Sequence, residues 1–225
     1  MTIFRLPEEI YFPSPELAED DGLLAVGGDL GVERLLLAYS MGIFPWYDED
    51  SPVLWWSPDP RLVLLPEEMK VSRSLRQTIK KGEYDVTFDT AFDKVIMSCA
   101  GANRKEQDGT WITDDMMDAY QRLHEAGFAH SVESRYEGEL AGGLYGVALG
   151  GVFFGESMFA GRSNASKVAF VKLVELLKQW GYRMIDCQVT TEHLVRFGAR
   201  EIPRTEFLKL LKKYLKIQTP RGKWG

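Results

Sequence analysis

Cysteine is scarce in this chain of 225 residues: Cys99 and Cys187 are far apart, and neither sits in a C-x-x-C. A disulfide framework and a thiolate zinc cage are thereby excluded, and a reducing, cytoplasmic compartment is expected. The three histidines, His124, His130 and His193, fall at no metal-ligand spacing, so no metal is expected. No apolar run approaches the roughly 18 residues of a membrane-spanning helix, so no membrane partner is expected. The first ten residues carry Arg5, Glu8 and Glu9 and lack an apolar core, so a secretory signal is not expected either. Basic residues are nearly missing from 1–50, where eleven acids face only Arg5 and Arg34. They return in 70–82, five bases with no acid, and in 204–225, seven bases against Glu206. A net charge of −6 argues against general nucleic-acid binding, but this segregation implies separate acidic and basic surfaces.

What is present is ordinary globular material, 45% hydrophobic, enough for one large domain or two small ones. Residues 29–39 read as a helix closed by Gly42. Ile43-Phe44-Pro45-Trp46-Tyr47 and Leu54-Trp55-Trp56-Ser57-Pro58-Asp59-Pro60-Arg61 follow, and their prolines predict ordered loops rich in aromatics. A strand at 62–65 is expected to close a small N-terminal domain, 1–65. The second domain, 66–225, begins with a basic helix in which Arg73, Arg76 and Lys80 lie at i, i+3 and i+7, followed by Lys81. Next come a strand at 84–88, helices at 91–100 and from Thr113 to Gly127, and strands at about 130–136, 140–149 and 152–158. Glu137-Gly138 and Gly150-Gly151 are turns, so these three strands form an antiparallel meander. A long amphipathic helix at 163–180, the strand carrying Asp186, a short helix at 192–197 and a basic terminal helix complete the chain. This order predicts an α+β protein: a small N-terminal domain plus a GNAT-like acyltransferase domain, with a mixed sheet flanked by helices. The analogy concerns fold and leaves function open.

The chemistry concentrates in Met184-Ile185-Asp186-Cys187-Gln188-Val189 and Phe153-Phe154-Gly155-Glu156-Ser157-Met158-Phe159. Both read as strands, and an ionised group on a buried strand is costly unless paired. Side chains alternate faces, so Asp186 and Gln188 are expected to share one face and Ile185, Cys187 and Val189 the other. Three chemistries compete. A coenzyme A acetyltransferase needs a phosphate cradle at the helix after the meander. That turn reads Phe159-Ala160-Gly161-Arg162-Ser163-Asn164-Ala165-Ser166, with one glycine and no [RQ]-x-x-G-x-[GA]. A Cys187 nucleophile needs His193 or His130 within reach, but its apolar face reads as buried filler. The loop tryptophans Trp46, Trp55, Trp56 and Trp111 are either interface residues or a stacking platform for a splayed base.

Taken together, the residues resemble the leucyl/phenylalanyl-tRNA–protein transferases from about Phe12 to Pro203. The matching stretches are Phe12-Pro13-Ser14-Pro15, Gly22-Leu23-Leu24-Ala25-Val26-Gly27-Gly28-Asp29-Leu30, Gly42-Ile43-Phe44-Pro45-Trp46 and Trp55-Trp56-Ser57-Pro58-Asp59-Pro60-Arg61. Gly109-Thr110-Trp111-Ile112-Thr113, Gly155-Glu156-Ser157-Met158-Phe159, Asn164-Ala165-Ser166-Lys167 and Ile185-Asp186-Cys187-Gln188 complete the series. The resemblance implies a cytoplasmic enzyme of the bacterial N-end rule. It would move Leu, Phe or Met from aminoacyl-tRNA to proteins with an N-terminal Arg or Lys and mark them for degradation, with no cofactor. It implies Asp186 and Gln188 as the catalytic pair, with Glu156 nearby. It implies Trp46 and Trp111 at the terminal adenosine, and Leu144, Phe153, Leu173 and Ile185 around the amino-acid side chain. The basic helix, with Arg73, Arg76, Lys80 and Lys81, becomes a tRNA contact. The runner-up is a GNAT-like transferase with another acyl donor, such as a peptidoglycan-type aminoacyl ligase. A non-catalytic RNA-binding module is the alternative outside enzymes.

Overall fold

Prolines and glycines crowd the first sixty residues and keep the strands there short. The computed structural model describes residues 3–102 and 112–225. Its first elements are strands β1 (Phe4–Arg5) and β2 (Leu23–Val26), helix α1 (Val32–Ser40), and strands β3 (Phe44–Pro45) and β4 (Leu54–Trp56). Asp29 braces the turn that leads into α1, whose N-cap is Gly31: one carboxylate oxygen accepts the Gly31 N–H at 2.7 Å and the other accepts from Arg34 Nε at 3.0 Å. Gly42 ends it at φ +76°, and a Cβ there would meet Phe207 Cε1 at 2.7 Å. The four strands form a sheet in the order β1-β2-β4-β3. The sequence had suggested loops at β3 and β4. The structure corrects this, because backbone pairing is completed by indoles: Trp55 Nε1 donates to the Gly27 carbonyl at 2.8 Å and Trp56 Nε1 to that of Trp46 at 2.6 Å.

The remainder runs β5 (Arg61–Leu64), α2 (Arg73–Lys81), β6 (Asp85–Phe88), α3 (Phe92–Ala100), α4 (Asp114–Glu125), β7 (Ala129–Tyr136), β8 (Glu139–Leu149), β9 (Val152–Ala160), α5 (Ala165–Gln179), β10 (Met184–Gln188), α6 (Glu192–Val195), β11 (Arg200–Ile202) and α7 (Arg204–Tyr214). The caps follow from sequence. Ser72 accepts the Leu75 N–H at the start of α2, and Thr113 accepts that of Met116 at the start of α4. Seven strands form one mixed sheet, in the order β11-β5-β10-β9-β8-β7-β6. The meander β7-β8-β9 is antiparallel, as expected. Strand β10 lies parallel to β9 over Met184–Asp186 against Val152–Phe154, and antiparallel to β5 on its other side. The strand expected to close the N-terminal part is thus an interior strand of the large sheet, because β10 and β11 both need a hydrogen-bonded neighbour.

Alternation on these strands feeds two cores. Val63, Phe154 and Met184 face one, shared with α1, α3, α4, α7 and Trp55 of the small sheet. Leu62, Leu64, Phe153 and Ile185 face the other, covered by α5. Asp186 has the parity of Met184. It therefore points toward the side of α1 and α7, away from Ile185 and Cys187.

Candidate active site

Strand β9 continues to Ala160, whereas β10 turns at Gln188, where φ is +60° and its register against β5 breaks. A cavity of about 780 Å³ lies here, and its exposed lining is mostly apolar. Leu144, Phe153, Phe170, Leu173 and Ile185 line it, with Trp46, Glu156 and Gln188 also in its wall. Gly146 leaves room for the Phe153 ring, since a Cβ there would stand 2.6 Å from Phe153 Cζ.

The polar part of this wall centres on Glu156. Tyr39 OH donates to its Oε1 at 2.8 Å, Tyr120 OH to its Oε2 at 2.9 Å, and the two hydroxyls lie 2.5 Å apart. Gln188 Nε2 donates to Glu156 Oε1 at 3.0 Å, which leaves the amide oxygen as an acceptor. Burial pushes the Glu156 carboxyl up to about 7, against the lowering effect of the tyrosine hydroxyls and the Gln188 amide; the nearby Asp186 carboxylate adds to the rise. Asp186 itself is fully buried. Arg61 Nε and Nη2 donate to its two oxygens at 2.8 and 2.7 Å, and the Gln188 backbone N–H donates to Oδ1 at 2.9 Å.

Sequence comparison matches residues 63–212 to the family described as Leucyl/phenylalanyl-tRNA protein transferase, and residues 28–59 to the N-terminal domain of the same family. Several curated relatives carry the name Leucyl/phenylalanyl-tRNA--protein transferase. The one from Anaeromyxobacter sp. (strain Fw109-5) is 66% identical over 100% of this chain and 95% of its own. The one from Anaeromyxobacter sp. (strain K) is 63% identical over 100% of this chain and 96% of its own. The chain belongs to the leucyl/phenylalanyl-tRNA–protein transferase family. It is a transferase. Among solved structures, that of L-PGS from Bacillus licheniformis aligns with a TM-score of 0.41 at 14% identity, over 75% of this chain and 53% of that one.

In this transferase the cavity gathers Trp46, Leu144, Phe153, Glu156, Leu173, Ile185 and Gln188, residues drawn from separate elements. Asp186 is not among the lining residues. The expected shared face of Asp186 and Gln188 is therefore corrected: the bulge and the positive φ turn Gln188 off the strand alternation, and the two residues meet through the Gln188 backbone N–H. Trp111 lies outside the described residues. Arg73, Arg76, Lys80 and Lys81 are exposed on α2. Arg76 and Lys80 border a separate hollow of about 370 Å³ with Met69, Val71, Ile79, Val171 and Glu175. Cys187 and His193 both line the main cavity, yet the Cys187 thiol donates to the Ile185 carbonyl at 3.8 Å. Burial pushes that thiol far up, so it stays protonated and fills space instead of attacking.

Three residues of the site escaped the sequence reading. Tyr39 and Tyr120 look like core aromatics on amphipathic helices, and nothing local marks their hydroxyls. Arg61 carried a signal: a buried carboxylate on β10 demands a cation, and Arg61 opens the strand beside it.

Proposed function

We propose that this protein transfers Leu, Phe or Met from aminoacyl-tRNA to the N-terminal Arg or Lys of acceptor proteins, which marks them for degradation by the bacterial N-end rule. The observation that carries this reading is the apolar cavity of about 780 Å³ with the Glu156–Gln188 pair in its wall. Leu144, Phe153, Leu173 and Ile185 receive the aminoacyl side chain. Trp46 and Trp111 hold the terminal adenosine. The catalytic portion is read as a GNAT-like fold from its order of elements, and the compartment as cytoplasmic. No cofactor is required, since an aminoacyl ester is already activated.

Aminolysis of such an ester needs positioning and charge stabilisation more than a strong base. The acceptor α-amino group has a pKa of roughly 7.7–8.0, so part of it is neutral near pH 7. An amide is not basic, so Gln188 acts by accepting a hydrogen bond from the attacking nitrogen through Oε1. Glu156, held near 7, takes the proton that this nitrogen loses as it bonds to the acyl carbon, and the proton passes to the ribose oxygen as the ester C–O bond breaks and the tRNA leaves with a free terminal hydroxyl. Asp186 completes the pair by fixing the Gln188 backbone.

The test is transfer from purified charged tRNAs to an Arg-initiated peptide. A methylene changes discrimination in an apolar pocket by only about 1–3 kcal/mol, so Leu-, Phe- and Met-tRNA should all serve as donors. Efficient transfer of Asp or Lys would refute the pocket assignment.

The basic face of α2 is assigned to the tRNA backbone. Each phosphate contact contributes a log–log salt slope of roughly −0.7 to −0.9. Arg76→Ala with Lys80→Ala should weaken tRNA binding and flatten that slope in a filter-binding titration. An unchanged slope would return α2 to a solvated helix face.

A further inference from the structure

Arg61 is not among the residues that line the cavity, yet it is buried to 1% exposure. A guanidinium is buried at such cost only where its contacts are specific. Here the rings of Phe44 and Phe207 cover it, with centroids 4.7 and 4.6 Å from Cζ. Its fork takes both oxygens of Asp186. Asp186 Oδ1 in turn holds the N–H of Gln188, whose φ of +60° a non-glycine residue adopts only when its surroundings impose it. Gln188 Nε2 then reaches Glu156.

We propose that Arg61 is a positioning residue for aminoacyl transfer: the ring-clamped guanidinium fixes the Asp186 carboxylate, which locks Gln188 in the left-handed turn that presents its amide to Glu156 and to the attacking amine. The inference rests on the function proposed above. It also gives Asp186 a role that needs no contact with substrate.

Arg61→Lys tests it, because lysine keeps the charge but cannot form the planar two-pronged pair. The expected result is a folded enzyme with kcat lowered about 100-fold, the loss typical of a misplacement of about an ångström, and little change in KM for tRNA. Asp186→Asn added to Arg61→Lys should cost little more, since the two act as one unit. The backbone amide resonance of 15N-labelled Gln188 should move in Arg61→Lys. It should stay fixed in Arg200→Lys, which alters an exposed ion pair with Glu68. Arg61→Met should be the more damaged of the two substitutions; if it does not fold, Arg61→Lys carries the result. Wild-type kcat in folded Arg61→Lys, or a lost kcat with an unmoved Gln188 resonance, overturns the proposal. A wild-type enzyme that transfers nothing from charged tRNA, with the Gln188 resonance still moving in Arg61→Lys, overturns the proposed function and leaves the Arg61–Gln188 linkage standing.

Discussion

Gln188→Ala is expected to lower turnover by about 10²–10³-fold, the usual cost of removing one hydrogen-bonding group aimed at developing charge. The substitution deletes the acceptor for the attacking nitrogen and the amide that donates to Glu156 at 3.0 Å. Asp186→Asn should also lower turnover strongly while the chain stays folded. The double variant should be little worse than the poorer single, because residues that act as a unit lose activity non-additively. Losses that add would separate the two roles. The pH profile gives an independent check. Burial holds the Glu156 carboxyl at about 7, so it is protonated below that value and accepts a proton above it. Single-turnover transfer should therefore rise with pH through an inflection near 7. Glu156→Gln should erase that inflection and leave only the ionisation of the acceptor amine, at roughly 7.7–8.0. A profile identical in wild type and Glu156→Gln would remove Glu156 from proton transfer.

Trp224→Ala is expected to destabilise the fold by about 3–5 kcal/mol, as large aromatic deletions in a packed core do. The Trp224 indole is 8% exposed and stacks on the His130 ring with centroids 3.8 Å apart. Its edge meets Trp180, and Phe153 of the cavity wall lies beside it. Asp89 ties the arrangement together: Oδ2 accepts from His130 Nδ1 and from the Trp224 N–H, each at 2.8 Å, and Oδ1 from the Ser131 N–H. Urea unfolding measures the loss, and a change below about 1 kcal/mol would show that the core closes without the indole. The anchor is also acid-sensitive. Burial alone would raise the Asp89 carboxyl, but His130 and the two backbone N–H groups outweigh it and hold the carboxyl low. Burial lowers His130, which favours its neutral ring. Both shifts are downward, so both contributions are present at neutral pH and disappear as the pH falls through the folded values. The stability gap between wild type and Asp89→Asn should accordingly shrink in acid.

Much of the fold was legible in local pattern. The meander follows from alternating strands separated by Glu137-Gly138 and Gly150-Gly151, where Glu137, Gly138 and Gly150 take positive φ. Helix α5 follows from its apolar stripe and from Gly181 at φ +80°. Strands β3 and β4 were not legible, because two- and three-residue strands between prolines leave no periodicity to read. The place of β5 in the large sheet was equally hidden, since pairing with β10 and β11 is a long-range choice.

For the site, residue chemistry along the chain determined a great deal. Two carboxylates and an amide on apolar strands marked the polar part, a local signal because period and burial cost act on neighbouring residues. The pocket positions Leu144, Phe153, Leu173 and Ile185 were implied by the family resemblance and not by any local pattern. Only the tertiary structure decided which groups touch. It turned Gln188 at a bulge toward Glu156, sent Asp186 to the opposite core and paired it with Arg61, and brought Tyr39 and Tyr120 from separate helices onto one carboxylate. The physical reason is that a buried charge must find its partner in space, and the partner that satisfies it can lie anywhere along the chain.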